Sequence, residues 1–192
     1  MPTPLELNDL QRRIALYEDD VAYRELYFRF FKPLLHFASS FVSSHETAEE
    51  IVSDVFIRVW QNRSHLTEIR NLRVYLYVCT KNNAIRSMES QQRQQALSLE
   101  EVGVDLRSPA QDPEALMITG EMITRIETAV NGLPPKCKMV YKLIKEDRLK
   151  YKEVAQILDI SVKTIDNQLA IALKKIAAAI QLDLRLPQTL TR

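Results

Sequence analysis

Apolar residues between Tyr151 and Ile176 recur at the three- and four-residue spacing of two short amphipathic helices. In the first helix, Val154, Ile157 and Leu158 fall on one face. In the second helix, the positions predicted to be buried are Ile165, Leu169, Leu173 and Ile176. The pattern therefore predicts two helices that pack against a common core.

The residues between these helices suit a tight turn. Asp159 tolerates positive φ better than most residues, and Ser161 offers a hydroxyl that can cap the second helix. The outward positions of that helix are Lys163, Thr164, Asn167, Gln168, Ile171 and Lys174. In a DNA-binding helix-turn-helix this face enters the major groove, whereas in an ordinary helical hairpin it is only solvated.

The segment before the turn is basic. Residues 133–152 contain seven Lys or Arg against two Asp or Glu, which suits either a surface that meets phosphates or a solvated charge run. Pro135 is placed to start a helix, where its missing N–H costs nothing. The buried face predicted for that helix is Met139, Val140, Leu143 and Ile144.

The N-terminal half predicts a long helix that opens at Asp19 and Asp20. Its predicted inward residues are Tyr23, Leu26, Tyr27, Phe30, Leu34, Leu35, Phe37 and Ala38. Because proline removes a backbone donor and clashes with the preceding turn, Pro33 is expected to bend or divide this helix.

A second helix is predicted to start near residue 48, with Thr47 as N-cap and Glu50 completing a capping box. Its predicted buried face is Ile51, Val52, Val55, Phe56 and Val59, and its opposite face is Glu49, Glu50, Ser53, Asp54, Ile57 and Gln61. The isoleucine among these acids marks a protein docking site, or it is one of the single exposed apolar residues that are common on surfaces.

A polar loop over residues 63–71 and a helix over residues 72–90 are predicted next. Residues 63–93 hold six Lys or Arg against two Asp or Glu. In such a basic stretch Tyr75 and Tyr77 are suited to stacking on unpaired bases. Tyrosines at this spacing also occur as core residues with one wet edge.

With 192 residues, 46% apolar content and only three glycines, the chain is predicted to be all-α. The Gln, Ser, Gly and Pro content after residue 90 predicts a flexible linker over residues 91–115. The expected domains are therefore residues 1–90 and residues 116–182, the second a helix-turn-helix, followed by a tail over residues 183–192.

Composition also limits the chemistry. Cys79 and Cys137 lie apart, without CxxC spacing or a neighbouring His, so we interpret both as buried thiols and expect no metal or cofactor. No nucleophile elbow or phosphate loop is present, which argues against an enzyme. With no long apolar run, the protein is expected to be soluble and cytoplasmic.

Taken in order, four segments resemble the extracytoplasmic-function sigma factors of bacterial RNA polymerase, which retain only sigma regions 2 and 4. These segments are DVAYRELYFRFFKPLLHFAS, AEEIVSDVFIRVWQN, NLRVYLYVCTKNNAIRSM and LPPKCKMVYKLIKEDRLKYKEVAQILDISVKTIDNQLAIALKKI. The resemblance spans nearly the whole chain. It departs from the family at Asp159, where many relatives carry glycine, and in a less basic second helix of the turn motif.

The resemblance implies roles for particular residues. Contacts to the polymerase core are implied for Glu50, Ser53, Asp54 and Ile57. Contacts to the promoter −10 element, including a flipped base captured by the loop at residues 63–71, are implied for His65, Asn71, Arg73, Lys81, Asn82 and Arg86. Contacts to the −35 element are implied for Lys163, Thr164, Asn167 and Gln168, with Lys174 and Lys175 on phosphates. Asn or Gln pairs naturally with adenine.

The implied partners are the core polymerase, promoter DNA and an anti-sigma factor that is usually anchored in the membrane; no small-molecule substrate is expected. Two other functions remain open. A conventional helix-turn-helix regulator would bind operators without polymerase. An interaction module would bind only an anti-sigma factor and would not need basic residues such as Lys81, Arg86 and Lys163.

Overall fold

The structure, a computed structural model, describes residues 4–97 and 119–185 of the chain. Over these residues the regular secondary structure is helical, which confirms the all-α prediction. The chain divides into two compact units at residues 106 and 107. Each unit buries its own set of apolar side chains.

The first unit contains α1 (Pro4–Tyr17), α2 (Asp20–Ala38), α3 (His45–Gln61), a 3-10 helix (Arg63–Glu68) and α4 (Leu72–Leu97). The second contains α5 (Thr119–Asn131), α6 (Pro135–Tyr141), a π-helical turn (Lys142–Glu146), α7 (Tyr151–Leu158) and α8 (Val162–Arg185).

Helix α2 begins as predicted. The carboxylate of Asp19 accepts a hydrogen bond from the Ala22 N–H at 3.0 Å, so Asp19 is the N-cap. Of the two outcomes expected at Pro33, a bend or a division, division is wrong, because α2 runs through Pro33 to Ala38. Phe30 and Leu34, on either side of the proline, are both buried in the same core, and this packing outweighs the lost backbone hydrogen bond.

The start of α3 differs from the prediction. The hydroxyl of Ser44 accepts a hydrogen bond from the Thr47 N–H at 3.2 Å, so Ser44 is the N-cap and Thr47 lies inside the helix. Both residues are hydroxyl candidates, and the earlier start lets the chain form three more helical residues before the core begins. The predicted buried face is confirmed throughout: Ile51, Val52, Val55, Phe56 and Val59 are all buried.

Aromatic contacts join α2 to its neighbours. The Tyr23 hydroxyl donates to the Phe56 carbonyl of α3 at 2.8 Å, and the rings of Tyr27 and Phe56 lie 4.8 Å apart. On the other side, Phe37 meets Tyr77 of α4 at 5.2 Å. Tyr77 is fully buried, so it is a core residue and does not stack on bases.

Helix α1 was not predicted. It buries Leu7, Leu10 and Ile14, which have the three- and four-residue spacing of a helical face. The fourth position of that face is Gln11, which is also buried. A polar residue in the apolar register hid the pattern.

Helix α4 continues past the predicted end at residue 90 to Leu97. Residues 91–97 contain no glycine or proline, and Gln, Arg, Ala and Leu favour helix. The remainder of the predicted linker, residues 98–115, lies outside the described residues, as do residues 186–192 of the predicted tail.

The second unit packs α6 and α8 around Val130, Leu133, Cys137, Ala172 and Ile176. Proline at the start of α6 is confirmed. The prediction that Leu173 is buried is wrong, since it is 43% exposed. Ala172 takes the inward position, because buried residues at 165, 169, 172 and 176 follow the helical repeat and residue 173 falls beside it.

Replacing Ser44 with Ala is expected to lower the unfolding free energy of the first unit by about 1 kcal/mol, because the Thr47 N–H loses its acceptor. Thr47→Ala should cost much less, since alanine is the better helix former inside α3. Urea unfolding followed by the fluorescence of Trp60, the single tryptophan, measures both. Equal losses in the two variants would contradict the cap at Ser44.

Candidate functional site

The turn between α7 and α8 has the geometry of a helix-turn-helix. Asp159 ends α7 in the left-handed region at φ 57° and ψ 49°, as predicted. The Ser161 hydroxyl accepts from the Thr164 N–H at 3.0 Å, which confirms Ser161 as the cap of α8. The angle between the helices is thus set by a left-handed residue and a side-chain cap.

Helix α8 presents a polar outer face. Lys163, Asn167 and Lys174 lie on one line of this face and are exposed, together with Ile171 and Lys175. Thr164 is half-buried, and its hydroxyl lies 2.8 Å from that of Ser161. Helix α8 therefore offers two cations and an amide in a row, with Thr164 engaged in the turn.

The side chain of Gln168 is hydrogen-bonded to a residue of another helix. Its side-chain oxygen accepts a hydrogen bond from the thiol of Cys137 on α6 at 2.9 Å, and Cys137 itself is buried. This contact was not predicted, because it joins helices 31 residues apart. A bidentate pair with adenine needs the amide oxygen as acceptor. Because the oxygen is turned toward the buried thiol, the N–H donors of Gln168 are the groups nearer the surface of the helix.

The outer face of α3 is acidic with one apolar residue at its centre. Glu50, Asp54 and Ile57 are exposed, and Ser53 is half-buried. Ile57 keeps 51% of its surface exposed, although the opposite face of the same helix is closed in the core. The structure brings these four predicted residues together on one surface.

The predicted loop over residues 63–71 is largely a 3-10 helix. His65 is exposed at its surface, whereas Leu66 is buried. The side-chain oxygen of Asn71 accepts from the Val74 N–H at 3.1 Å, so Asn71 caps α4. Asn71, one of the two loop residues predicted to contact bases, therefore also forms a hydrogen bond that stabilises the start of α4.

Both ends of this loop are held by side chains that sequence reasoning did not single out. Arg63 stacks over Trp60 with its guanidinium carbon 4.8 Å from the ring, and it pairs with Glu18 at 2.8 Å. Gln11 of α1 donates to backbone carbonyls at the other end. The signal in the sequence that could have identified Gln11 is its place among the regularly spaced apolar residues of α1.

Only some of the residues predicted to face outward on α4 are exposed. Asn82 and Arg86, one turn apart, are exposed. Lys81 and Arg73 are half-buried, and Arg73 lies one turn before the buried Tyr77 on the inward side. Arg73 and Asn82 lie about two and a half turns apart and so do not share a face of α4, and the contact of Arg73 with DNA stays a prediction.

Burial shifts the pKa of several side chains. Partial burial raises the pKa of Cys79, which lies beside Tyr75, and also raises the pKa of Tyr75. Partial burial, and then the neighbouring charge of Lys142, lower the pKa of Lys138 on α6. Within the described residues, no group of three His, Cys, Asp or Glu side chains is placed to hold a metal ion. No helix in the same residues is long and apolar enough to cross a membrane.

Two family models match the chain. Sigma-70 region 2 matches residues 26–94, and sigma-70 region 4 matches residues 123–176. The first range contains α3, the loop and most of α4, and the second contains the helix-turn-helix. The chain belongs to the sigma-70 family. No curated protein sequence matches it significantly.

Solved structures share the fold of this sigma factor. The sigma factor RpoE from Bartonella quintana, in complex with the anti-sigma factor NepR, is 21% identical, with a TM-score of 0.62 over 84% of this chain and 98% of that one. CnrH, in complex with the cytosolic domain of CnrY, is 19% identical, with a TM-score of 0.57 over 93% of this chain and 99% of that one.

Regions 2 and 4 are both matched, as the sequence resemblance implied, and the chain is a sigma factor. It is a transcription initiation factor whose partners are the core RNA polymerase and promoter DNA. Sigma factors are not enzymes. The predicted contact residues on α3, the loop and α4 all fall within the region 2 match, and those on α8 within the region 4 match.

Proposed function

We propose that the outer face of α3 is the surface through which this sigma factor binds the polymerase core. The observation that carries this proposal is the exposure of Ile57, one turn after Asp54 and two turns after Glu50, on a helix whose other face is fully packed. An apolar centre with a charged rim is the usual composition of a protein interface. The acids would steer a basic surface of the polymerase, and Ile57 would supply the apolar contact.

The promoter −10 element would be bound by the loop at residues 63–71 and by α4. His65 on the loop and Asn82 and Arg86 on α4 are exposed. Arginine fixes register through phosphates, while amide and imidazole groups read base edges. The half-buried Lys81 and Arg73 have less of their surface available and would contribute less, as would Asn71, whose oxygen caps α4.

The −35 element would be bound by α8 in the major groove. Lys163 and Asn167 lie on its exposed line, where they would reach base edges, and Lys174 and Lys175 would meet phosphates. Gln168, at the edge of this face, would donate to the acceptors of guanine or thymine while its oxygen is held by Cys137. The hydroxyl of Thr164 would mainly hold the turn.

This chain would carry out no covalent chemistry of its own and would need no cofactor or small-molecule substrate. Strand opening would be driven by trapping unpaired bases on the protein, where binding offsets the few kcal/mol needed to unstack each base. These steps would take place in the cytoplasm, where the polymerase acts.

We further propose that an anti-sigma factor covers the α3 face until a signal arrives. Among the structural neighbours, RpoE was solved in complex with the anti-sigma factor NepR, and CnrH in complex with the cytosolic domain of CnrY. The same apolar and acidic surface that suits the polymerase would suit a basic segment of an inhibitor, and the two would then compete. An inhibitor of this kind is expected to be anchored in the membrane.

Reversing the charge of Asp54 with Asp54→Lys is expected to lower sigma-dependent transcription at least tenfold, because a lysine beside Ile57 would repel the basic surface that the acids attract. The measurement is run-off transcription with purified core polymerase on a pool of random promoters, followed by sequencing of the products. The matched control is Glu127→Lys, the same change at an exposed site on α5.

Start sites that need the protein, and that disappear only in Asp54→Lys, would support the proposal. Equal effects in the two variants would contradict the α3 face as the docking surface. Binding to duplex DNA without any polymerase-dependent transcription would instead favour a conventional helix-turn-helix regulator.

Cys137→Ala is expected to change the −35 preference at one position, because without the thiol donor the Gln168 amide can turn its oxygen outward to accept from adenine. The selected frequency of adenine there should rise about tenfold, the range of one bidentate contact. Cys137→Ser keeps a donor and should retain the original preference. An unchanged −35 profile in Cys137→Ala, or the same shift in both variants, would contradict the role of the thiol.

A further inference from the structure

We propose that Gln11 of α1 is a positioning residue for promoter recognition: it holds the base-binding loop at residues 63–71 and so sets how well the loop distinguishes bases of the −10 element. The inference rests on the proposed function of that loop. It adds to the site a residue on α1, a helix that precedes the residues matched by the region 2 model.

Gln11 is a buried polar side chain whose donors are both used by the loop. It is only 5% exposed. Its amide nitrogen donates to the Leu66 carbonyl and, at 2.8 Å, to the Ile69 carbonyl. A primary amide has two N–H donors, so one side chain from α1 bonds two points of a segment more than fifty residues away. Burying an amide on the apolar face of a helix costs folding free energy unless its hydrogen bonds are made.

The position of the two carbonyls explains what the amide does. Leu66 and Ile69 lie at the end of the 3-10 helix, and the Leu66 carbonyl also accepts from the Ile69 N–H at 3.0 Å. The Leu66 carbonyl has a second lone pair for Gln11, and the Ile69 carbonyl lies just past the last residue of the helix, which offers it no donor. Gln11 therefore acts as a cap supplied from another helix, and the buried Leu66 side chain fixes the same point.

The start of the loop is tied to the same region of the chain. Arg63 pairs with Glu18, which follows α1 and has a positive φ of 50°. The adjacent Asp19 is bonded by Arg13 of α1 at 2.8 and 2.9 Å. The loop is thus held near its beginning by the corner that follows α1, and near its end by Gln11.

Between these two anchors the loop has exposed side chains. They are Ser64, His65, Thr67, Glu68 and Arg70. Their placement follows from the backbone that Gln11 and Arg63 hold, since they extend into solvent from it. Selective binding requires that the contacting groups be held in place before the ligand arrives, because a group that must be ordered on binding discriminates less. Gln11 would supply that order without touching DNA.

A positioning role and a merely structural role make different predictions. If Gln11 only contributes to stability, its loss lowers transcription equally on all promoters. If it positions the loop, its loss flattens the base preference at the −10 positions that the loop reads and leaves −35 preference and core binding unchanged. The base preference at the −10 positions, rather than the overall level of transcription, therefore distinguishes the two roles.

The test uses the full chain and core polymerase on a library with randomised −10 elements downstream of one fixed −35 element selected by the wild type. Gln11→Met keeps the length and burial of the side chain but cannot donate to either carbonyl. Thr80→Val is the matched control, because the buried Thr80 hydroxyl donates to the Leu76 carbonyl within α4 at 2.9 Å. Gln11→Asn, one methylene shorter, replaces Gln11→Met if that variant does not fold.

In the Gln11 variant we expect the preference at one or two −10 positions to fall about tenfold, together with faster backbone hydrogen exchange over residues 63–71 than in the wild type. Thr80→Val should keep the wild-type profile. An unchanged −10 profile in a folded Gln11 variant, or the same flattening in Thr80→Val, would overturn the inference. If the wild type itself gave no polymerase-dependent transcription, the proposed function would fail first, and hydrogen exchange would still report whether Gln11 holds the loop.

Discussion

The rotation of α3 in the first core is the constraint on which the rest of region 2 depends. Five large apolar residues of this helix are buried against α2 and α4, and each contributes roughly 1.5–3 kcal/mol by leaving water. Turning the helix by one residue would expose several of them. The opposite face is therefore held toward solvent, and Ile57 stays exposed there because no rotation buries it without exposing the core.

A different kind of constraint holds the nucleic-acid surfaces. In region 4 the turn depends on local bonds, since Asp159 and Ser161 act on residues within one helical turn. In region 2 the loop depends on distant bonds, which reach it from Gln11 and Glu18. Local bonds form with the helices themselves, whereas distant ones require the whole unit to be folded. The loop is thus coupled to the packing of α1.

Most of the fold could be predicted where apolar residues repeat with the helical period. The buried face of α3, the cap at Asp19 and the left-handed Asp159 all follow from local sequence. Predictions went wrong where two local solutions competed or where the register slipped. Ser44 and Thr47 both carry a hydroxyl that can cap a helix, and Leu173 lies one residue beside the position that Ala172 occupies.

The sequence by itself determined which faces of α3 and α8 are polar, and therefore which residues are available to polymerase and DNA, because a helical repeat assigns faces without reference to neighbours. Only the tertiary structure decided how the polar groups at the edges of those faces are oriented. The Gln168 oxygen is engaged by a thiol on another helix, and Gln11 bonds a loop more than fifty residues away. Such bonds depend on distances between helices, and no local pattern along the chain encodes those distances.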